Sequence, residues 1–274
     1  MKLIYAFILF FTFSLSAFAQ SPSQKLLLVG GGNRPQAALT KWAELTSQFN
    51  IENPTRSKKI LVITWASGVP NEVYEDLKND LAVAGLESEA SLRGPITEVE
   101  KRLLLKQISN SSGIFFSGGD QKKIMKVLQD ADIMAAIKSS YWQIGMPFAG
   151  TSAGTAIMSE KMILGPDLGI ADGLGFLPKS VVDQHFLYRN RVDRLKKALR
   201  EAPAGFIGVG VDEDGSILFQ NVENRNEFKG IVLGDKQVMI ISPTNSGEQP
   251  THLLNPNDIT EWKTSPMTNC DLNF

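Results

Sequence analysis

The chain has 274 residues with 28 basic and 29 acidic side chains, and its 43% apolar content is ordinary for a globular protein with a sizeable core. A formal charge of −1 excludes the basic field that nucleic acid or anionic lipid would require, so a small molecule or peptide is the expected partner. The single cysteine, Cys270, excludes an intrachain disulfide and a thiolate metal cluster, and its place near the C-terminus reads as a loose tail.

At the N-terminus Lys2 precedes an apolar run from Leu3 to Leu15, followed by Ala17-Phe18-Ala19. This layout predicts an export signal over residues 1–19, cleaved after Ala19. The run is too short for a stable membrane span, so residues 20–274 are expected as one exported domain, periplasmic or secreted, with no anchor after cleavage. Loss of Lys2 takes the 28 basic residues to 27 against 29 acidic ones, a charge of −2.

Beyond the signal, short apolar runs alternate with amphipathic stretches of helical length, which predicts an α/β fold: a mostly parallel sheet with helices on both faces. Leu26–Val29 is a candidate strand ending in Gly30-Gly31-Gly32, and Ala37–Phe49 has helical spacing. Ile60–Thr64 is the next strand and Asn71–Val83 the next helix, followed by a helix over Glu98–Ile108 and a buried strand over Gly113–Phe116. Two helical segments lead to Trp142, and Met146–Gly150 is a strand that turns at Thr151–Gly154 into a helix beginning near Thr155. Val181–Gln184 is a short strand, and Arg189–Arg200 a cationic helix with Val192, Leu195 and Leu199 on one face. The remaining strands are separated by turns such as Asp214-Gly215 and Gly234-Asp235, which predicts extra β-hairpins toward the C-terminus.

Chemistry centres on Gly150-Thr151-Ser152-Ala153-Gly154, which fits the nucleophile elbow G-x-S-x-G. Glycines on both sides let the chain turn tightly and project Ser152 above the sheet, while the N–H of Ala153 at a helix start would face a developing oxyanion. A serine hydroxyl needs a base. Of the two histidines, His185 follows a strand end, where groups of a parallel sheet converge, whereas His252 lies in a polar segment. The strand Ile207–Val211 delivers Asp212-Glu213-Asp214 to the same edge as His185. Strand neighbours point to opposite faces, so only one of Asp212 and Glu213 can face His185; Glu213 is preferred. Gly118-Gly119 after the buried strand offers backbone N–H groups at close approach, and Gly119 is the expected second oxyanion donor.

Together with Gly118-Gly119-Asp120-Gln121, the elbow, Asp183-Gln184-His185-Phe186, the following arginines and Asp212-Glu213 resemble the cyanophycinase family. That family belongs with aspartyl dipeptidases among serine peptidases of class I glutamine-amidotransferase-like fold. The resemblance implies Ser152 as nucleophile, His185 as base and Glu213 as third member, with no cofactor and no metal. It implies a substrate-binding pocket of Gln121, Asp183, Gln184, Arg189, Arg191 and Arg194, in which the arginines grip carboxylates and Asp183 receives a substrate cation. Cyanophycin is an aspartate backbone carrying arginine on β-aspartyl amide links, so the implied reaction is release of β-Asp-Arg dipeptides. Two departures stand out: Gly165-Pro166-Asp167-Leu168-Gly169 replaces a longer loop, and Asp214-Gly215-Ser216 stands where the family usually has Thr-Ala. An α-aspartyl dipeptidase and a non-catalytic peptide-binding protein of the same fold are the alternatives, and a homodimer is compatible with either. A glutamine amidotransferase would need cysteine where Ser152 stands.

Overall fold

In the computed structural model, residues 23–165, 169–221, 227–243, 249–264 and 270–273 are described. The expected export signal lies outside the described residues, as does the centre of the shortened loop, 166–168.

In chain order the elements are β1 (Lys25–Val29), α1 (Gln36–Glu52), β2 (Lys59–Ile63), α2 (Pro70–Val83), β3 (Glu87–Ser91), α3 (Glu98–Asn110), β4 (Gly113–Phe116), α4 (Gln121–Val127), α5 (Ala131–Trp142), β5 (Phe148–Thr151) and α6 (Ala153–Ala156). There follow β6 (Ser159–Ile163), β7 (Ile170–Asp172), β8 (Leu177–Gln184), α7 (Val192–Glu201), β9 (Ile207–Val211), β10 (Gly215–Asn221), β11 (Glu227–Gly234), β12 (Val238–Ile241), β13 (Thr251–Leu254), β14 (Ile259–Thr264) and β15 (Cys270–Asn273).

The apolar runs become central strands because only a fully covered sheet buries residues on both faces. β1, all five residues of it buried, pairs in parallel with β5, and β5, β4, β2 and β3 continue in parallel toward one edge. Alternation then sorts the side chains. Leu27 and Val29 face Trp42 of α1 and Leu77 of α2, whereas Leu26 and Leu28 face the layer holding Leu104 of α3, Ile124 of α4 and Ile137 of α5. On its other side β1 pairs antiparallel with β10, and β11, β14 and β15 extend the sheet. Cys270 thus begins an edge strand and is not part of a loose tail.

The fold is α/β as expected, with two refinements. A second sheet, in the order β13-β12-β9-β8-β6-β7, packs against the first. Parallel pairing is confined to β1, β5, β4, β2 and β3 in one sheet and β6, β8 and β9 in the other, the remaining strands pairing antiparallel, so the sheets are mixed rather than mostly parallel. Its Val182, Val209 and Ile240 share the core of Leu26 and Phe116, and α7 covers its outer face through Leu195 and Leu199 against Val181 and Phe186. β8 and β9 run parallel, with Gln184 beside Val211, so the residues that follow each strand emerge side by side.

Three expected boundaries move. α7 starts at Val192, so Arg189 and Arg191 sit in the turn before it and only Arg194 is helical. The strand before the elbow starts at Phe148, because Met146 N–H bonds Ser140 O and closes the end of α5. After the elbow α6 starts at Ala153 and lasts four residues, so it supplies free amides but little macrodipole.

Candidate active site

The site is assembled on the end of β1. Three consecutive carbonyls accept amides from three distant segments: Val29 O from Ser152 N–H at 3.0 Å, Gly30 O from His185 N–H at 2.8 Å, and Gly31 O from Asp214 N–H at 2.9 Å. Such approaches leave no room for side chains. A Cβ on Gly30 would lie 2.0 Å from Asp212 O, and one on Gly31 would lie 2.2 Å from His185 Cε1. Gly31 also has φ +120°, a region closed to other residues.

The elbow forms as its glycines predict. A Cβ on Gly150 would lie 2.4 Å from the carbonyl carbon of Gly154, and one on Gly154 would lie 2.1 Å from Phe116 O. Thr155 Oγ1 accepts Val29 N–H at 3.1 Å and lies 2.7 Å from both Val29 O and Gly150 O, tying the elbow to β1. Ser152 is held at φ 51°, ψ −112°, and His185 at φ 50°. Strain of this kind costs roughly 1–3 kcal/mol per residue and persists where surrounding bonds fix the backbone, as they do here.

Ser152 Oγ lies 2.7 Å from His185 Nε2, and His185 Nδ1 lies 2.5 Å from Glu213 Oε1. Glu213 is thus the carboxylate that faces His185, whereas Asp212 Oδ1 accepts Tyr188 N–H at 2.8 Å. The serine comes from the large sheet, the histidine and glutamate from the second, so the relay bridges the two. His185 is pushed below the ordinary histidine value, first by burial and then by Arg189 and Arg191, against the raising effect of Glu213. At neutral pH its imidazole is therefore the free base that a serine requires. The acid limb of kcat/KM is expected below about pH 6.5. Glu213→Gln removes a group that raises this pKa, so that limb should move lower still while kcat falls about 10⁴-fold; a pH–rate profile of both proteins checks it.

Gly118 stands against the serine: a Cβ there would lie 3.3 Å from Ser152 Cβ and 3.8 Å from Ser152 Oγ. Gly119, at φ +134°, packs on Ala66 O. Among the described residues no backbone carbonyl takes the N–H of either glycine, and the first N–H of α6, that of Ala153, has no partner within its helix.

The expected binding pocket is corrected at Asp183. Its side chain is fully buried and already engaged: Arg194 Nε donates to Oδ2 at 2.8 Å, Arg194 Nη2 to Oδ1, and Arg191 Nη1 lies 3.4 Å from Oδ1. A carboxylate filled by two guanidinium groups does not receive a substrate cation. Arg191 Nη1 also donates to Gln184 O at 2.7 Å, which ties these arginines to the strand below His185. Gln184 is itself buried, and Gln121 Nε2 donates to Ile163 O at 2.8 Å. Arg189 differs: it is 49% exposed, with Nη2 3.9 Å from Glu213 Oε1. Arg194→Ala strips the bidentate partner from a buried carboxylate and should destabilise the fold by about 3 kcal/mol, measurable by urea unfolding. Sequence reasoning missed the comb of β1 carbonyls, whose one signal was the unbroken run Gly30-Gly31-Gly32.

Residues 26–226 match the family model described as peptidase family S51. Cyanophycinases from Synechococcus elongatus and Thermosynechococcus vestitus are each 34% identical over 194 residues, covering 66% of this chain and 58% of theirs. A cyanophycinase from Trichormus variabilis is 39% identical over 142 residues, 48% of this chain and 46% of its own. The chain thus spans about half the length of the curated relatives it matches. A peptidase from an acI-B1 Actinobacterium shares the fold, with TM-score 0.62 at 22% identity over 88% of this chain and 98% of that one. A putative peptidase E protein from Listeria monocytogenes EGD-e gives TM-score 0.50 at 17% identity over 77% and 98%.

Proposed function

We propose, from the premise that the chain belongs to peptidase family S51, that it is a serine-type peptidase cleaving β-aspartyl amide links through an acyl-enzyme on Ser152. The observation that carries this reading is the continuous relay of 2.7 Å and 2.5 Å from Ser152 through His185 to Glu213.

Ser152 Oγ attacks the scissile carbonyl carbon as His185 Nε2 takes its proton. Glu213 holds Nδ1–H in the required tautomer and balances the imidazolium. The oxyanion is held by the N–H of Ala153 together with that of Gly119 in the Gly118-Gly119 turn, each such donor being worth about 3 kcal/mol in the transition state. His185 then gives its proton to the leaving nitrogen and the C–N bond breaks. Water, deprotonated by His185, attacks the ester carbonyl and releases the acid and free Ser152.

The relatives that bear the name cyanophycinase favour a cyanophycin-like substrate carrying β-Asp-Arg units. Arg189, half-exposed beside the relay, suits an aspartyl carboxylate. Export is part of the proposal and rests on Lys2, the run Leu3–Leu15 and Ala17-Phe18-Ala19. Incubation with insoluble cyanophycin, a β-Asp dipeptide and an α-Asp dipeptide, with products followed by mass spectrometry, tests the substrate. Release of β-Asp-Arg is expected. Cleavage confined to the small β-Asp dipeptide would replace cyanophycin by isoaspartyl peptides, cleavage of the α-linked dipeptide alone would make the protein an α-aspartyl dipeptidase, and no cleavage at all would sink the enzymatic reading.

A further inference from the structure

Residues 212–214 are three carboxylates in a row, and each faces a different donor, two of them from the turn after β8 and one from the loop after β1. Asp212 Oδ1 accepts Tyr188 N–H at 2.8 Å, Glu213 Oε1 faces His185 Nδ1 at 2.5 Å, and Asp214 Oδ1 accepts Asn33 N–H at 2.6 Å. Tyr188 lies in the turn that carries His185, a turn closed by Arg189 N–H to His185 O at 3.0 Å and Arg191 N–H to Phe186 O at 2.9 Å. Asn33 ends the glycine run on which the imidazole rests. The outer two carboxylates therefore tie both supports of His185, the turn behind it and the floor beneath it, to the strand end that presents Glu213.

We propose that Asp212 and Asp214 are positioning residues that set the His185–Glu213 contact. Neither is bonded to the relay, and both act through backbone amides of its neighbours. The proposal rests on the reading of Ser152, His185 and Glu213 as the reacting relay. Its physical basis is tolerance: a relay works within about 0.5 Å of its productive geometry, and a misplacement near 1 Å can cost about 10²-fold in rate. Asp214 adds a second hold, since it occupies φ 57° while its own N–H bonds Gly31 O. Asparagine keeps the acceptor oxygen at both positions and tolerates that conformation; alanine keeps neither property.

The chain has two histidines, so in a His252→Gln background the imidazole ¹⁵N signals belong to His185 alone. The charged groups acting on that ring are Glu213, Arg189 and Arg191. Asp212→Ala and Asp214→Ala are expected to lower the His185 titration midpoint, because the raising contact with Glu213 loosens, and to reduce kcat about 10- to 100-fold at unchanged KM. Asp212→Asn and Asp214→Asn should keep both the midpoint and kcat within about twofold. Alanine variants that titrate and turn over like the unmutated protein would overturn the proposal, as would asparagine variants that fall as far as the alanine ones. The titration needs no substrate. A protein that cleaves nothing, yet whose His185 midpoint shifts in Asp212→Ala, would refute the mechanism and leave the positioning role standing.

Discussion

A Ser152→Ala variant is expected to keep its fold and lose turnover by on the order of 10⁵- to 10⁶-fold in kcat. No other hydroxyl is shown within hydrogen-bond reach of His185 Nε2 among the described residues, so no neighbour can take over the attack. The substitution leaves the rest of the proposed machinery in place: the backbone of Ala153 and Gly119, the proposed oxyanion donors, is unaltered and His185 still faces Glu213. Residual hydrolysis should therefore exceed the uncatalysed rate while KM stays close to that of the unmutated protein. Stability should not suffer, because Ser152 at φ 51° and ψ −112° is the strained residue of the elbow and alanine there carries no larger Cβ. Steady-state kinetics beside a thermal melt checks both halves. A variant that retains full turnover would defeat the mechanism.

The second large effect is expected far away in sequence. Gly31→Ala places a Cβ 2.2 Å from His185 Cε1 and 2.7 Å from both ring nitrogens, and it does so at φ +120°. Either the imidazole leaves Ser152 and Glu213 or the β1 end moves and drops the amides it holds. Both outcomes break the relay, so kcat should fall at least about 10³-fold, with a stability loss of roughly 1–3 kcal/mol from the backbone alone. Gly68→Ala is the matched control, since nothing lies within 4 Å of its added carbon and its φ is ordinary. Kinetics and urea unfolding of the pair separate a specific clash from a general cost of replacing glycine.

Much of this was legible in the sequence because the relevant signals are local. Apolar runs such as Leu26–Val29 and Gly113–Phe116 mark buried parallel strands, and the elbow pentapeptide marks a strand, turn and helix in one stroke. Strand alternation allows only one of Asp212 and Glu213 to face His185 but does not say which, and both residues in fact follow the end of β9 at Val211. What stayed hidden is set by contacts between distant segments. β3, Glu-Ser-Glu-Ala-Ser, carries no apolar signal because it is an edge strand whose pairing partner, β2, supplies the hydrophobic residues. The division into two sheets depends on which strands pair, and a run such as Val181–Gln184 reads the same in either sheet. Asp183 and the arginines read as a polar pocket because sequence shows charge and not partners; the fold brings Arg191 and Arg194 onto Asp183 and leaves Arg189 beside the relay. The glycine run after β1 was visible, but its meaning, room for three amides and an imidazole, exists only once residues 152, 185 and 214 have arrived.

The most direct test of a nucleophilic Ser152 needs no knowledge of the substrate. The protein would be treated with a fluorophosphonate, digested and sequenced by mass spectrometry, alongside the Ser152→Ala and Glu213→Gln variants. One adduct on Ser152 is expected, formed slowly in Glu213→Gln and absent from Ser152→Ala. An unmodified Ser152 under conditions that label a control serine hydrolase, or equal labelling of other serines, would contradict the account.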